Sequence, residues 1–167
     1  MNISRNQLSL ISCFWLVLIS SALSAFSQKA TLCADFERTI NRVLNGEKIV
    51  RNEVNSYGCI LEFEDRDLRV DLEVYESVAK AKTAVRSQIY VDRFMKTEDR
   101  TKRTEETVKD QGVWSEGLFF QSDGRSSGQI VLRHGRYLFN AISPDKILLF
   151  NVEDALRKWI SRRESLL

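Results

Sequence analysis

"CILEFEDRDLRVDLEVY", residues 59–75, decides the fold. Its apolar side chains alternate at period two: Cys59, Leu61 and Phe63, then, beyond a polar interruption, Leu68, Val70, Leu72 and Val74. Successive strand side chains point to opposite faces, so only one family of turns brings both apolar sets to the same side. A turn centred on Asp65-Arg66 does so, opposing Phe63 to Leu68, Leu61 to Val70 and Cys59 to Leu72. It also sets Glu62 across from Arg69 on the outer face, a cross-strand ion pair of modest strength. The segment therefore predicts an antiparallel hairpin with one face in the core and one in water.

Upstream, Cys33, Phe36, Ile40, Val43 and Leu44 recur at steps of three and four, the stripe of a helix that Gly46 is suited to end. Downstream, Ser77 is placed to cap a longer helix whose buried stripe is Val78, Ala81, Val85, Ile89 and Phe94. The polar run "KTEDRTKRTEETVKDQ", Lys96 to Gln111, mixes both signs of charge and holds one large apolar residue, Val108. It reads as a helix end and a solvated loop. Three further strand signals follow: "GLFFQ" from Gly117, "QIVLRHGRYLFNAI" from Gln129 and "KILLF" ending at Phe150, with "SDGRSSG" as turn chemistry between the first two. In the second, a two-residue turn at His134-Gly135 pairs Leu132 with Tyr137 and Ile130 with Phe139. Asn151 then opens a last helix with Val152, Ala155, Leu156, Trp159 and Ile160 inward and Arg162 and Arg163 near its C-terminal dipole. The order is α-β-β-α-β-β-β-α. It predicts an α+β fold: an antiparallel sheet of about five strands with three helices packed on one face.

The N-terminus has a different character. From Leu8 to Phe26 there is no charge, and the polar start before it carries one basic side chain, Arg5. Small residues two apart in Ala25-Phe26-Ser27 suit signal peptidase, which predicts a secretory signal over residues 1–27 cleaved before Gln28. An uncleaved membrane anchor is disfavoured by Ser20, Ser21 and Ser24, and a lipobox at Cys13 by the apolar run lying mostly after it. Removing 27 of the 167 residues leaves 140, the size of one globular domain, residues 28–167. Losing Arg5 leaves 24 Lys and Arg against 23 Asp and Glu. So even a balance argues against a nucleic-acid binder, and membrane attachment is expected only if the N-terminal segment is retained.

In an exported chain the pair Cys33 and Cys59, each on the inner face of its element, reads as a disulfide. No CxxC accompanies it. A single histidine, His134, is too few for a multi-histidine zinc site and reads as a turn residue. The carboxylates Glu62, Glu64, Asp65 and Asp67 match no calcium loop, because Arg66 interrupts them and alternation already turns Glu62 and Glu64 outward. No phosphate loop, dinucleotide fingerprint or nucleophile elbow occurs, so no metal, cofactor or catalytic residue is assigned. Trp114, Phe119, Phe120, Tyr137 and Phe139 enrich the third region in rings, and the adjacency of Phe119 and Phe120 sends one to each side of a strand. One of the two then belongs to a second apolar surface.

The chain thus reads as an exported, periplasmic or secreted, non-enzymatic domain binding a protein partner or small ligand through its sheet face and hairpin edge. The candidate recognition surface is Arg133, His134, Arg136 and Phe120. The alternative is a carboxylate-dependent hydrolase using Glu62 and Asp71. Export predicts a soluble mature protein that begins at or near Gln28, with an earlier site after Ala22-Leu23-Ser24 as the alternative, as intact mass reads it; full-length chain in the membrane fraction would overturn it.

Overall fold

The structure, a computed structural model, describes residues 27–45, 48–97, 103–108, 112–122 and 128–165. Residues 27–43 form helix α1, and then come β1 (Ile49–Val54), β2 (Gly58–Phe63), a 3₁₀ turn, β3 (Leu68–Val74) and helix α2 (Val78–Thr97). The chain continues through β4 (Arg103–Thr107), β5 (Glu116–Ser122), β6 (Gly128–His134) and β7 (Tyr137–Ser143) to helix α3 (Lys146–Glu164). All seven strands join one antiparallel sheet in the order β1-β2-β3-β7-β6-β5-β4. Two meanders, β1 to β3 and β4 to β7, meet along the β3–β7 ladder.

The β2–β3 register is the one that alternation dictates: Phe63 opposes Leu68, Leu61 opposes Val70, Cys59 opposes Leu72, and Glu62 opposes Arg69. Asp67 closes the turn in the left-handed region at φ 45°. Gly58 is needed at the start of β2, because a Cβ there would lie 1.8 Å from the carbonyl oxygen of Leu72. The predicted stripe of α1 is inward, with Cys33, Phe36, Ile40 and Leu44 buried. The left-handed residue past α1 is Asn45, at φ 54°, and Gly46 lies outside the described residues. Ser77 caps α2, its Oγ accepting from the Lys80 amide at 3.2 Å. Ala81 and Val85 are buried and Val78 is 54% exposed, while the side chains of Ile89 and Phe94 lie outside the described residues.

Among the described residues, seven strands stand where five were expected. β1 shows no apolar alternation because almost all of it is exposed, and β4 lies within the charged run read as a loop; as the two sheet edges, neither needs two buried faces. The "KILLF" strand is instead the first turn of α3. Asp145, not Asn151, is its cap, its carboxylate accepting from the amides of Ile147 and Leu148. Leu148, Val152, Leu156 and Trp159 then fall on one buried helical stripe, with Asn151 exposed in the second turn. The β6–β7 register is two residues further along than expected, with Leu132 opposite Phe139, Ile130 opposite Ala141 and His134 opposite Tyr137. Gly135 and Arg136 make the turn, with Gly135 at φ 54° as a two-residue turn with glycine first requires. A shift of two preserves the faces, so inward and outward assignments are unaffected.

The three helices do not share a face. α1 and α3 cover the inner face, where Phe36, Phe139 and Trp159 pack with ring centroids 5.8 to 6.3 Å apart. α2 crosses the outer face, where Val85 meets Phe120, Val131 and Leu138. The reason is topological. α2 carries the chain from β3, in mid-sheet, to β4 at the far edge, so it must pass over β7 and β6, and the inner side is already filled.

The sulfurs of Cys33 and Cys59 are bonded, with Cα atoms 5.8 Å apart, and this pins α1 to β2. A disulfide fits an oxidising compartment, and no helix among the described residues is long and apolar enough to cross a membrane. Replacing both cysteines by serine removes a closed loop of about 27 residues, and the chain-entropy relation gives a loss of about 3.5 kcal/mol. Urea unfolding of the paired variant against the oxidised protein checks it, and a loss under about 1 kcal/mol would show that the bond adds little.

Candidate functional site

The β6–β7 turn, the C-terminal end of α3 and the N-terminal part of α1 converge at one end of the sheet. A groove of about 790 Å³ opens there, with Tyr137, Trp159 and Ile160 on its floor, Val78 on one wall, and Arg136 and Arg162 at its rim. A second groove of about 570 Å³ shares Arg136, Tyr137 and Arg163 and runs on beneath residues 27–32 of α1. The local sequence explains the convergence. Arg136 is exposed because the turn lifts it off the sheet, and Arg162 and Arg163 occupy the last turn of α3, where the helix dipole favours cations.

The floor is held rigidly. Trp159 Nε1 donates to Asp35 Oδ2 at 2.7 Å, Arg163 donates to the same oxygen at 3.2 Å, and the Arg163 guanidinium lies 4.7 Å from the centre of the Trp159 ring. Asp35 thus fixes both a buried indole and an arginine. His134 does similar work between loop and helix: Nδ1 faces the carbonyl of Val113 and Nε2 lies 2.7 Å from Glu164 Oε1. With Asp35 and Glu164 so engaged, Arg136 and Arg162 are the cations left to a ligand; among the described residues neither forms an ion pair.

The four candidate recognition residues are not equivalent. His134 and Arg136 stand at the groove. Arg133 is buried, bonding Glu116 Oε2 at 2.9 Å and the Gly135 carbonyl at 2.9 Å, so it braces the turn from below. Phe120 is 1% exposed and supplies the second apolar surface, which α2 covers. Neither presents a contact surface, which corrects the expectation for both. The missed residues are Arg162, Arg163 and Asp35. The two arginines read in sequence only as dipole partners, and Asp35, which faces Trp159 from 124 residues away, has no local signal.

The sheet faces are likewise occupied. The outer face of β1 to β3 carries an ion-paired lattice in which Arg51 bonds Glu53 and Glu62 at 2.8 and 3.1 Å, and Arg69 bonds Asp71 at 2.9 Å and approaches Glu62 at 3.5 Å. Glu53 is held below the usual carboxylate range by the Arg51 hydrogen bond, and both guanidiniums are raised by their carboxylate partners. Glu62 and Asp71, the carboxylates of the hydrolase reading, are both ion-paired with arginines. Trp114 and Glu153 are also paired, Nε1 to Oε1 at 2.5 Å, with Arg157 closing the triad. Among the described residues, no three His, Cys, Asp or Glu side chains converge as metal ligands.

No protein-family model and no curated protein sequence matches the chain. Among solved structures, a GTP-binding regulator from Thermotoga maritima aligns at 11% identity over 71% of this chain and 82% of that one, with a TM-score of 0.35, too slight a likeness to carry an argument.

The burial of Phe120 predicts that Phe120→Ala costs about 3 to 5 kcal/mol in urea unfolding, as for other large-to-small changes in a core. A loss under about 1 kcal/mol would mean that the ring is a surface group after all.

Proposed function

We propose that this is an exported, disulfide-stapled, non-enzymatic domain that receives an acidic protein partner at the groove between the β6–β7 turn and the end of α3. The observation that carries the reading is the placement of Arg136 and Arg162. Both are exposed and, among the described residues, form no ion pair, on a rim above a floor that Asp35, Trp159 and Arg163 hold in one geometry. Side chains on rigid elements lose little freedom on binding, and exposed arginines attract carboxylates mainly by accelerating encounter. Of the floor residues, the half-buried ring of Tyr137 offers apolar contact to side chains interspersed among a partner's acids, while the buried Trp159 supports it from beneath. Export rests on the uncharged N-terminal segment and on the disulfide. The binding surface is narrower than the sheet face and hairpin edge first expected, because helices or ion pairs cover both faces.

The test uses poly-L-glutamate as a stand-in for an acidic segment. The folded protein should bind it with an association rate that falls as salt rises through the range where the Debye length contracts from about 30 to about 8 Å. Arg136→Ala combined with Arg162→Ala should slow association about tenfold at low salt and leave thermal unfolding unchanged. Equal rates for the variant and the parent at every ionic strength would reduce the rim to solvated charge.

A further inference from the structure

We propose that β1 is a self-association edge: a second copy of this chain docks on it antiparallel, about a twofold axis through Asn52, with Arg51 of each copy facing Glu53 of the other.

β1 ends the sheet, and among the described residues no strand pairs with its outer side. The phase of its ladder to β2 follows from the hairpin that joins them. The Asn55 amide donates to the Gly58 carbonyl at 2.9 Å, and the pairs Glu53–Ile60 and Arg51–Glu62 stand two and four residues back from that closure. In an antiparallel ladder alternate residues address the same neighbour, so Arg51 and Glu53 give their main-chain groups to β2, and Asn52 and Val54 aim theirs outward. An open edge of this kind is a template for another strand, and it is normally blunted by charges or a bulge.

β1 has both devices, a register shift at Val50 and two charged side chains, yet the charges do not repel a copy of the same strand. They are of opposite sign, two residues apart, and on one face. Centred on Asn52, a twofold pairing makes Asn52 exchange main-chain bonds with its own counterpart and puts Arg51 opposite Glu53 twice. These are the non-hydrogen-bonded positions, where facing side chains come closest. The arginine already holds the exposed Glu53 and the half-buried Glu62 of its own chain, and its five donors can serve a further carboxylate. Beyond the charges, Val50 and Val54, 47% and 38% exposed, face each other at both ends and leave water.

The neighbouring registers fail. A shift of two residues centres the axis on Arg51 or Glu53 and sets like charges face to face. A shift of one sets outward main-chain groups against residues whose own are already bonded to β2. The interface is one short strand a side, well under the roughly 1,200 Å² of stable complexes, so association is weak and depends on concentration.

Sedimentation equilibrium of the oxidised protein over roughly 10 to 500 μM should show a reversible monomer–dimer equilibrium. Arg51→Glu alone and Glu53→Arg alone should each weaken it at least about tenfold, because all four facing charges then share a sign. Mixed in equal amounts, the two variants should associate with each other about as well as the parent with itself, since each then supplies what the other lacks. Val54→Lys, which leaves every internal ion pair in place, should also weaken it. Thermal unfolding within the parent's range confirms that these exposed substitutions leave the fold intact. A parent monomeric throughout, single variants that dimerise like the parent, or a mixture that stays monomeric would each overturn the proposal.

Discussion

The β3–β7 ladder is the interaction on which the rest of the structure depends. It joins the two meanders, from Arg69 opposite Ile142 to Val74 opposite Tyr137, and it sets Leu72 against Phe139 and Val70 against Ala141 in the middle of the inner face. Each half then provides what the other lacks. The N-terminal half brings α1, fastened by the disulfide, and the C-terminal half brings α3, whose Trp159 packs on both Phe36 and Phe139. Without that ladder there would be two small sheets, each with its apolar face half covered and an additional open edge.

Local periodicity made much of this architecture legible. In β2 and β3, alternation and turn length sufficed to fix the register, because a slip of one residue between them would have turned the whole apolar set of one strand into water. The buried stripes of α1 and α3 were legible for the analogous reason at period 3.6. Failures came where that constraint is weak. β1 and β4 lie at edges, so their patterns answer to few neighbours. "KILLF" is apolar at every position but one and fits either period, and the Asp145 cap settles it in favour of the helix. The face occupied by α2 follows from strand order, a property no window of sequence contains.

The groove was legible in part for a related reason. Arg136 stood out because a turn displays its residues, whereas its neighbours in space come from the far ends of the chain. Asp35 meets Trp159 and Arg163 across more than 120 residues, and His134 meets Val113 and Glu164 across 21 and 30. Phe120 misled because the adjacency of two rings correctly implied a second apolar surface but not what lay upon it. An exposed ring and a ring beneath a helix have the same sequence.

Seating β7 in the middle of the sheet also orders the events of folding. A chain is synthesised N-terminus first, so β1, β2 and β3 appear while the strand that must pair with β3 is still to come. The free edge of β3 stays unsatisfied until residues up to Ser143 have emerged, and closing the chain between Arg69 and Ile142 is a long-range step that slows folding and exposes an edge meanwhile. Both disulfide cysteines precede β3. The bond can therefore close early and hold α1 over the half-built sheet, so that its apolar face is sheltered while its edge waits for β7.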